Sequence, residues 1–226
     1  MHKLKITKLT EINLPYDPDE FNRWIERDFS VIDDRIPIHV RNFIKKKALN
    51  RKGKQKTRLF SEVMALNQYI DYAKDGVIWY SSYKWLSAPK WYLGGINDEV
   101  EKKFFQDLNR NFKFGNNPIK NVEYIQKKAM EFMDKDKGEL LGITKSGKIR
   151  YPTAPDIWLK NKDHGIIFVE AKREETLEPT QLAGIALIKK YFNLNAHVVR
   201  FYPNTVSEIP MPIDHTDEFM AFLNSV

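Results

Sequence analysis

Three side chains in the stretch YPTAPDIWLKNKDHGIIFVEAKREE have the types and spacing for phosphodiester chemistry: Asp156, Glu170 and Lys172. PDIWLK and IIFVEAK read as strands flanking the turn NKDHG. A turn centred on Asp163 sets Lys160 opposite Ile166 and Asp156 opposite Glu170. Directly opposed side chains lie about 4.5–5.5 Å apart at Cβ. Glu170 and Lys172 are two apart and so project from one face, while Ile157, Leu159, Ile167, Val169 and Ala171 line the other. Two opposed carboxylates repel unless a cation stands between them, and a hard divalent ion such as Mg²⁺ takes oxygen ligands. Such an ion activates water and offsets charge on a phosphoryl oxygen. Lys172 would orient the water or stabilise the transition state. The competing reading is a simple charge pair on a surface hairpin, and a register shifted by one residue would part the carboxylates.

The elements around this hairpin follow an α/β pattern from residue 139 onward. ELLGIT and KIRYPT suggest a further hairpin around Lys145-Ser146-Gly147-Lys148. A helix is expected over about 178–192 with Pro179 in its first turn, and AHVVRFY reads as a buried strand after it. Strand, helix, strand in that order implies a parallel pair joined by a crossover. A short helix, DEFMAFLNSV, closes the sequence. Upstream, Leu59, Val63, Leu66, Ile70 and Ala73 recur at the spacing of one buried helical face over 57–75, with Asp75-Gly76 as a stop and VIWYSSY, 77–83, as a strand. The first fifty residues read as short helices around FNRWIERDF and IHVRNFIKKKAL. Helices are also expected near 98–113 and 118–136, after an aromatic, turn-rich stretch containing Trp85, Trp91 and Tyr92. Those aromatics suit either a small core or stacking on bases.

Composition narrows the class. With 226 residues, 42% of them apolar, the chain can bury a sizeable core. It has no apolar run of membrane-spanning length and no secretory-type leader in MHKLKITKLTEINL, so no membrane partner is expected. The absence of cysteine excludes disulfides and thiolate metal sites and is compatible with an intracellular location, cytoplasmic or nucleoid/nuclear. The formal charge is +7, but its distribution says more. Residues 41–58 carry nine basic side chains and no acidic one: Arg41, Lys45, Lys46, Lys47, Arg51, Lys52, Lys54, Lys56 and Arg58. Such a block neutralises phosphates and releases counterions; the bland reading is a solvated loop beside a helix. The five histidines are scattered without ligand spacing, and no phosphate-cradling glycine motif or nucleophile elbow is present.

PDIWL, FVEAKREE, LEPTQLAGIALIKKYF and AHVVRF together resemble the core of the PD-(D/E)XK nuclease superfamily, and within it the VRR-NUC group of virus-type replication-repair nucleases. That core pairs a Pro-Asp strand with a Glu-x-Lys strand, followed by a helix with a Gln near its start and a Val-rich strand. Asp156, Glu170, Lys172 and Gln181 match in order and spacing, over roughly residues 139–202. The resemblance implies a restriction-endonuclease-like mixed sheet flanked by helices, and a Mg²⁺ or Mn²⁺ held by Asp156, Glu170 and the Ala171 carbonyl. It also implies one more acidic residue from a helix at the front of the fold. Glu62, at the margin of the 57–75 apolar stripe, is the candidate; pairing with Arg58 one turn earlier is the alternative. Gln181 would serve the site, cap its helix, or hydrogen-bond a carboxylate.

The sequence departs from a minimal nuclease in its helical insertion, about 84–136, and in a basic helical extension, 1–56, ahead of a core at 57–226. The expected activity is hydrolysis of DNA phosphodiesters by a metal-activated water, with residues 41–58 plus Lys148 and Arg150 on the phosphate backbone. A homodimer would suit cutting of two strands. A nucleic-acid-binding protein of the same fold without catalysis is the first rival, and an interaction protein with a surface charge pair the second.

Overall fold

The computed structural model describes residues 8–73, 78–80, 127, 152–161 and 165–225. Five strands form one mixed sheet: β1 (Ile12–Tyr16), β2 (Ile78–Tyr80), β3 (Ile157–Asn161), β4 (Gly165–Lys172) and β5 (Asn195–Pro203), in the order β1-β5-β4-β3-β2. β3 runs antiparallel to β2 and to β4, whereas β4, β5 and β1 run parallel. The α/β expectation therefore holds, and so does its central detail. Lys160 stands opposite Ile166 and Ile157 opposite Val169, the register that carries Asp156 to Glu170.

The parallel β4–β5 pair is joined by helix α4 (Pro179–Phe192), as the strand-helix-strand order requires. Pro179 opens α4, and Asn193 ends it in the left-handed conformation. The helix is buried along almost its whole length. Leu182, Ala183, Ile185 and Ala186 share a cluster with Val198 of β5 and with Phe219, Phe222 and Leu223 of α5 (Thr216–Ser225). On the other face of the sheet lies α3 (Phe60–Tyr69), whose Tyr69 hydroxyl meets His197 Nδ1 of β5 at 2.8 Å. The central strands are thus covered on both sides. Trp158 and Phe168, on the face of the chemical residues, are as buried as Ile157 and Val169 on the other.

Two departures from the sequence expectations have physical causes. The helix over 57–75 is shorter, because Leu59 takes a left-handed φ of 72° and residues 53–57 form a 3₁₀ turn instead. Its expected stop at Asp75-Gly76 lies outside the described residues, as do the expected 139–153 hairpin up to residue 151 and the aromatic stretch at 84–96. So does the expected insertion, apart from Lys127, which is helical. The second departure is β1, a strand in a region expected to be helical. Pro15 within INLPY argues against a strand interior, but β1 is an edge strand, where a missing N–H is tolerated.

The helices α1 (Pro18–Glu26) and α2 (Ile38–Leu49) form where expected. Asp17 caps α1, accepting from the Asp19 N–H while Glu20 reaches back to the Asp17 N–H. The expected boundary at residue 56 has no counterpart in the packing. Trp24, Ile36, Val40 and Ile44 belong to one apolar cluster with Phe60, Val63, Trp158 and Val169. Among the described residues, no helix is long and apolar enough to cross a membrane.

Candidate active site

Asp156 lies in the bend that leads into β3, one residue before the strand begins. Its Oδ2 accepts the Ala171 N–H at 3.2 Å, which ties the bend to β4 beyond the last β3–β4 pair. In a strand the N–H and C=O of one residue point to the same side. The Ala171 carbonyl is therefore directed to the Asp156 side, where the β3 ladder has ended. Behind the bend, the close approach of α4 is made possible by Gly184. A Cβ there would stand 1.8 Å from the Thr153 carbonyl oxygen, and Thr153 N–H donates to the Thr180 carbonyl at 2.9 Å. Gly184 thus sets how near α4 comes to the segment carrying Asp156.

Glu170 is 1% exposed and lies beside Val198 in the parallel register, on the α4 face. Its Oε1 receives Lys172 Nζ at 2.9 Å and Gln181 Nε2 at 2.5 Å. The Gln181 Oε1 at the same time accepts the Glu178 N–H at 2.8 Å. The two structural roles envisaged for Gln181 are one arrangement: capping the helix fixes the amide so that its NH₂ faces the carboxylate.

Burial raises the Glu170 pKa well above the usual carboxylate range, and repulsion from Asp156 adds to it. Asp156 is also pushed up by burial, against the pull of the Lys172 ammonium and the Ala171 N–H. Asp156 and Glu170 are close enough for the charge of Asp156 to act on the Glu170 carboxyl. Lys172 is itself buried, which favours its neutral form, but the attraction of Glu170 and Asp156 outweighs this and its pKa is raised.

Glu62 comes from the opposite layer, at the start of α3. Burial pushes its pKa up to about 8, with repulsion from Asp156 second. Ser61 Oγ donates to it at 3.1 Å. The alternative pairing with Arg58 is not formed, because Arg58 precedes the left-handed Leu59 in extended backbone and is not one turn back on the helix. The site therefore brings together Glu170, Lys172 and Gln181 by direct contact, with Asp156 tied to the Ala171 N–H and Asp156 and Glu62 linked to the site through charge. Among the described residues, no three His, Asp or Glu side chains converge as a ready-made metal cluster.

Two features were missed by sequence reasoning. Glu175 lies near enough to raise the pKa values of Asp156 and Lys172 through its charge. Its own carboxyl is held low: burial opposes this, but the N–H groups of Glu175 and Arg173 and the Lys172 charge prevail. The second is a buried cluster of Glu11, Arg200 and His215, assembled from chain-distant segments that no spacing rule connects.

The basic residues divide. Arg41 pairs with Asp34 at 2.7 Å, and Lys47 lies over the Phe43 ring at 4.5 Å. Lys46, Lys52, Lys54 and Arg58 are exposed, while Lys45, Arg51 and Lys56 are half-buried. The stretch is not a loose loop. Arg27 donates to the Arg51 carbonyl at 2.6 Å and the Lys56 carbonyl at 3.3 Å, and Trp24 Nε1 to the Arg58 carbonyl at 3.2 Å. It leads directly into the helix that carries Glu62. Lys148 and Arg150 lie outside the described residues, as does His164; His197 is half-buried against Tyr69, and desolvation lowers its pKa.

In comparisons with known proteins, no family model, no curated protein and no solved structure matches this chain.

Proposed function

We propose that this chain is a metal-dependent nuclease of the PD-(D/E)XK kind, hydrolysing phosphodiester bonds in DNA. The observation that carries this reading is the desolvated pair Asp156 and Glu170, with Lys172 bonded to Glu170 at 2.9 Å. Taking two carboxylates out of water and against each other is strongly unfavourable unless a proton or a cation lies between them. The donor set is all oxygen: the two carboxylates and the Ala171 carbonyl, with Glu62 in the facing layer near enough to act on Asp156 through its charge. That chemistry fits Mg²⁺ or Mn²⁺ and disfavours soft metals. When bound, the ion supplies Lewis acidity for the attacking water and the phosphoryl oxygens.

The chain's own groups have separable tasks. Lys172 stays protonated in its carboxylate environment, so it acts as a hydrogen-bond donor to the water or to developing phosphate charge, not as a general base. Gln181 and Lys172 converge on Glu170 Oε1 and lock that carboxylate's orientation. Lys46, Lys52, Lys54 and Arg58 would follow the phosphate backbone towards Glu62. A homodimer would present two such sites to two strands.

The test is cleavage of labelled single-stranded, duplex and branched DNA with Mg²⁺, Mn²⁺ or EDTA, for the wild type and Lys172→Ala. Metal-dependent cutting that the variant loses supports the reading. Binding without cutting would mark a DNA-binding protein of the same fold, and neither binding nor cutting would sink the nuclease assignment.

A further inference from the structure

We propose that Arg200, held by Glu11 and His215, is the positioning residue of this site, acting through the turn that follows Lys172. The inference rests on the nuclease reading for its catalytic consequence, though not for its geometry. Arg200 is the direct partner of Lys172 in the parallel β4–β5 register. The chain leaves the sheet at Lys172, the last β4–β5 pair, and bends through 173–175. Arg200 Nη1 holds that bend, donating to the carbonyl oxygens of Arg173 at 3.3 Å and Glu175 at 2.8 Å.

The rest of the guanidinium is anchored from behind. Its Nε and Nη2 reach the two oxygens of Glu11 at 2.5 and 2.8 Å, and Glu11 Oε1 also meets His215 Nε2 at 2.9 Å. The Glu11 side chain is 0% exposed and Arg200 only 11%. His215 is in turn placed by Glu218, 3.2 Å from its Nδ1, and by its own N–H on the Leu9 carbonyl at 2.8 Å.

A buried ion pair contributes little net stability compared with an apolar replacement. Its geometry is another matter. Only a guanidinium offers donors on several edges of one rigid plane, here a fork on a carboxylate and a third nitrogen on two carbonyls. The cluster therefore transmits the position of three chain-distant segments, before β1, on β5 and before α5, to the backbone one to three residues past Lys172. It also sets Glu175, whose charge acts on Lys172 and Asp156.

The experiment compares the full-length wild type with Arg200→Lys, which keeps the charge but not the plane, and with Glu11→Gln. Hydrogen exchange of the peptide covering 172–177 reads the clamp without any activity. We expect exchange there to rise about tenfold in Arg200→Lys while the β4 interior is unchanged, a loss on the scale of one opened local contact. Unchanged exchange at 172–177 overturns the clamp even if the wild type cuts DNA. Single-turnover cleavage at saturating DNA is then measured in a cycle with Lys172→Ala. Arg200→Lys should slow cutting about 10- to 100-fold with DNA affinity retained, the scale of a misplacement remote from the chemistry. In the Lys172→Ala background it should change the residual rate by less than about twofold, because the two act through one group. Additive losses would overturn positioning through Lys172. If the wild type cuts nothing, the nuclease reading fails while the exchange result still decides the clamp.

Discussion

Burial raises the proton affinity of Glu62, Asp156 and Glu170, so the metal-free folded protein binds protons that the unfolded chain releases. For Glu62 the window runs from the ordinary value of 4.5 up to about 8. Across that window the folded state holds more protons, and stability therefore falls as pH rises. Glu11 has the opposite sign. Burial opposes its ionisation, but Arg200 and His215 prevail and lower its pKa, so its contribution is present above 4.5 and lost as pH falls below. Thermal melts in EDTA should show decreasing stability from pH 4.5 to 8, and Mn²⁺ should flatten that decline by neutralising the carboxylates. A flat EDTA profile would mean the carboxylates are not desolvated as described. Asp156→Asn removes one of the repelling charges while its side-chain oxygen still accepts the Ala171 N–H. It should raise metal-free stability by ~0.5–2 kcal/mol and abolish cutting, as stability and function conflict at such sites. Lys172→Ala should slow cutting ~100- to 1,000-fold, the scale for losing one preorganised donor. Both are read by urea titration and single-turnover cleavage.

Among the elements, α4 has the tightest constraint. Its Gly184 faces the Thr153 carbonyl, and a methyl group would meet backbone, which cannot rotate away. Gly184→Ala should destabilise by ~1–3 kcal/mol through overpacking and push the Thr153–Asp156 segment from β4. Loss of cutting greater than the loss of folded protein, measured on the same sample, would separate displacement from unfolding. Between α2 and α3 the basic stretch is shaped by Arg27, which takes a left-handed conformation at the end of α1 and turns its guanidinium onto the Arg51 and Lys56 carbonyls. Lys52 and Lys54 project from that clamped turn as exposed charges. Replacing either by alanine should reduce the slope of log affinity against log salt by about 1, with little change in stability. A slope unchanged in both variants would remove the turn from the DNA path.

Across the described molecule, the segment from residue 9 to 56 contributes to the core. Trp24 is fully buried and packs with Phe29, β1 closes one edge of the sheet against β5, and Glu11 completes the cluster around Arg200. A chain beginning at residue 57 would expose those surfaces and lose the β1 ladder. It should show no cooperative unfolding transition by circular dichroism, although it retains Glu62, Asp156, Glu170 and Lys172. A stable, cooperatively melting fragment would contradict the packing described for α1 and α2.

Local pattern alone was enough for the hairpin and the crossover. Alternation, a turn of defined length and a Pro-capped helix are short-range signals, so the register of Asp156 with Glu170 and the parallel β4–β5 pair were legible in the residues. Gln181 was legible as a helix-start residue, but its double hydrogen bond needed the distance between α4 and β4. Only tertiary structure decided the rest. INLPY is a strand because β5 offers it an edge, and Glu11, Arg200 and His215 meet across 189 and 204 residues of chain. Such contacts are set by how layers close on one another, which no periodicity within a single segment encodes.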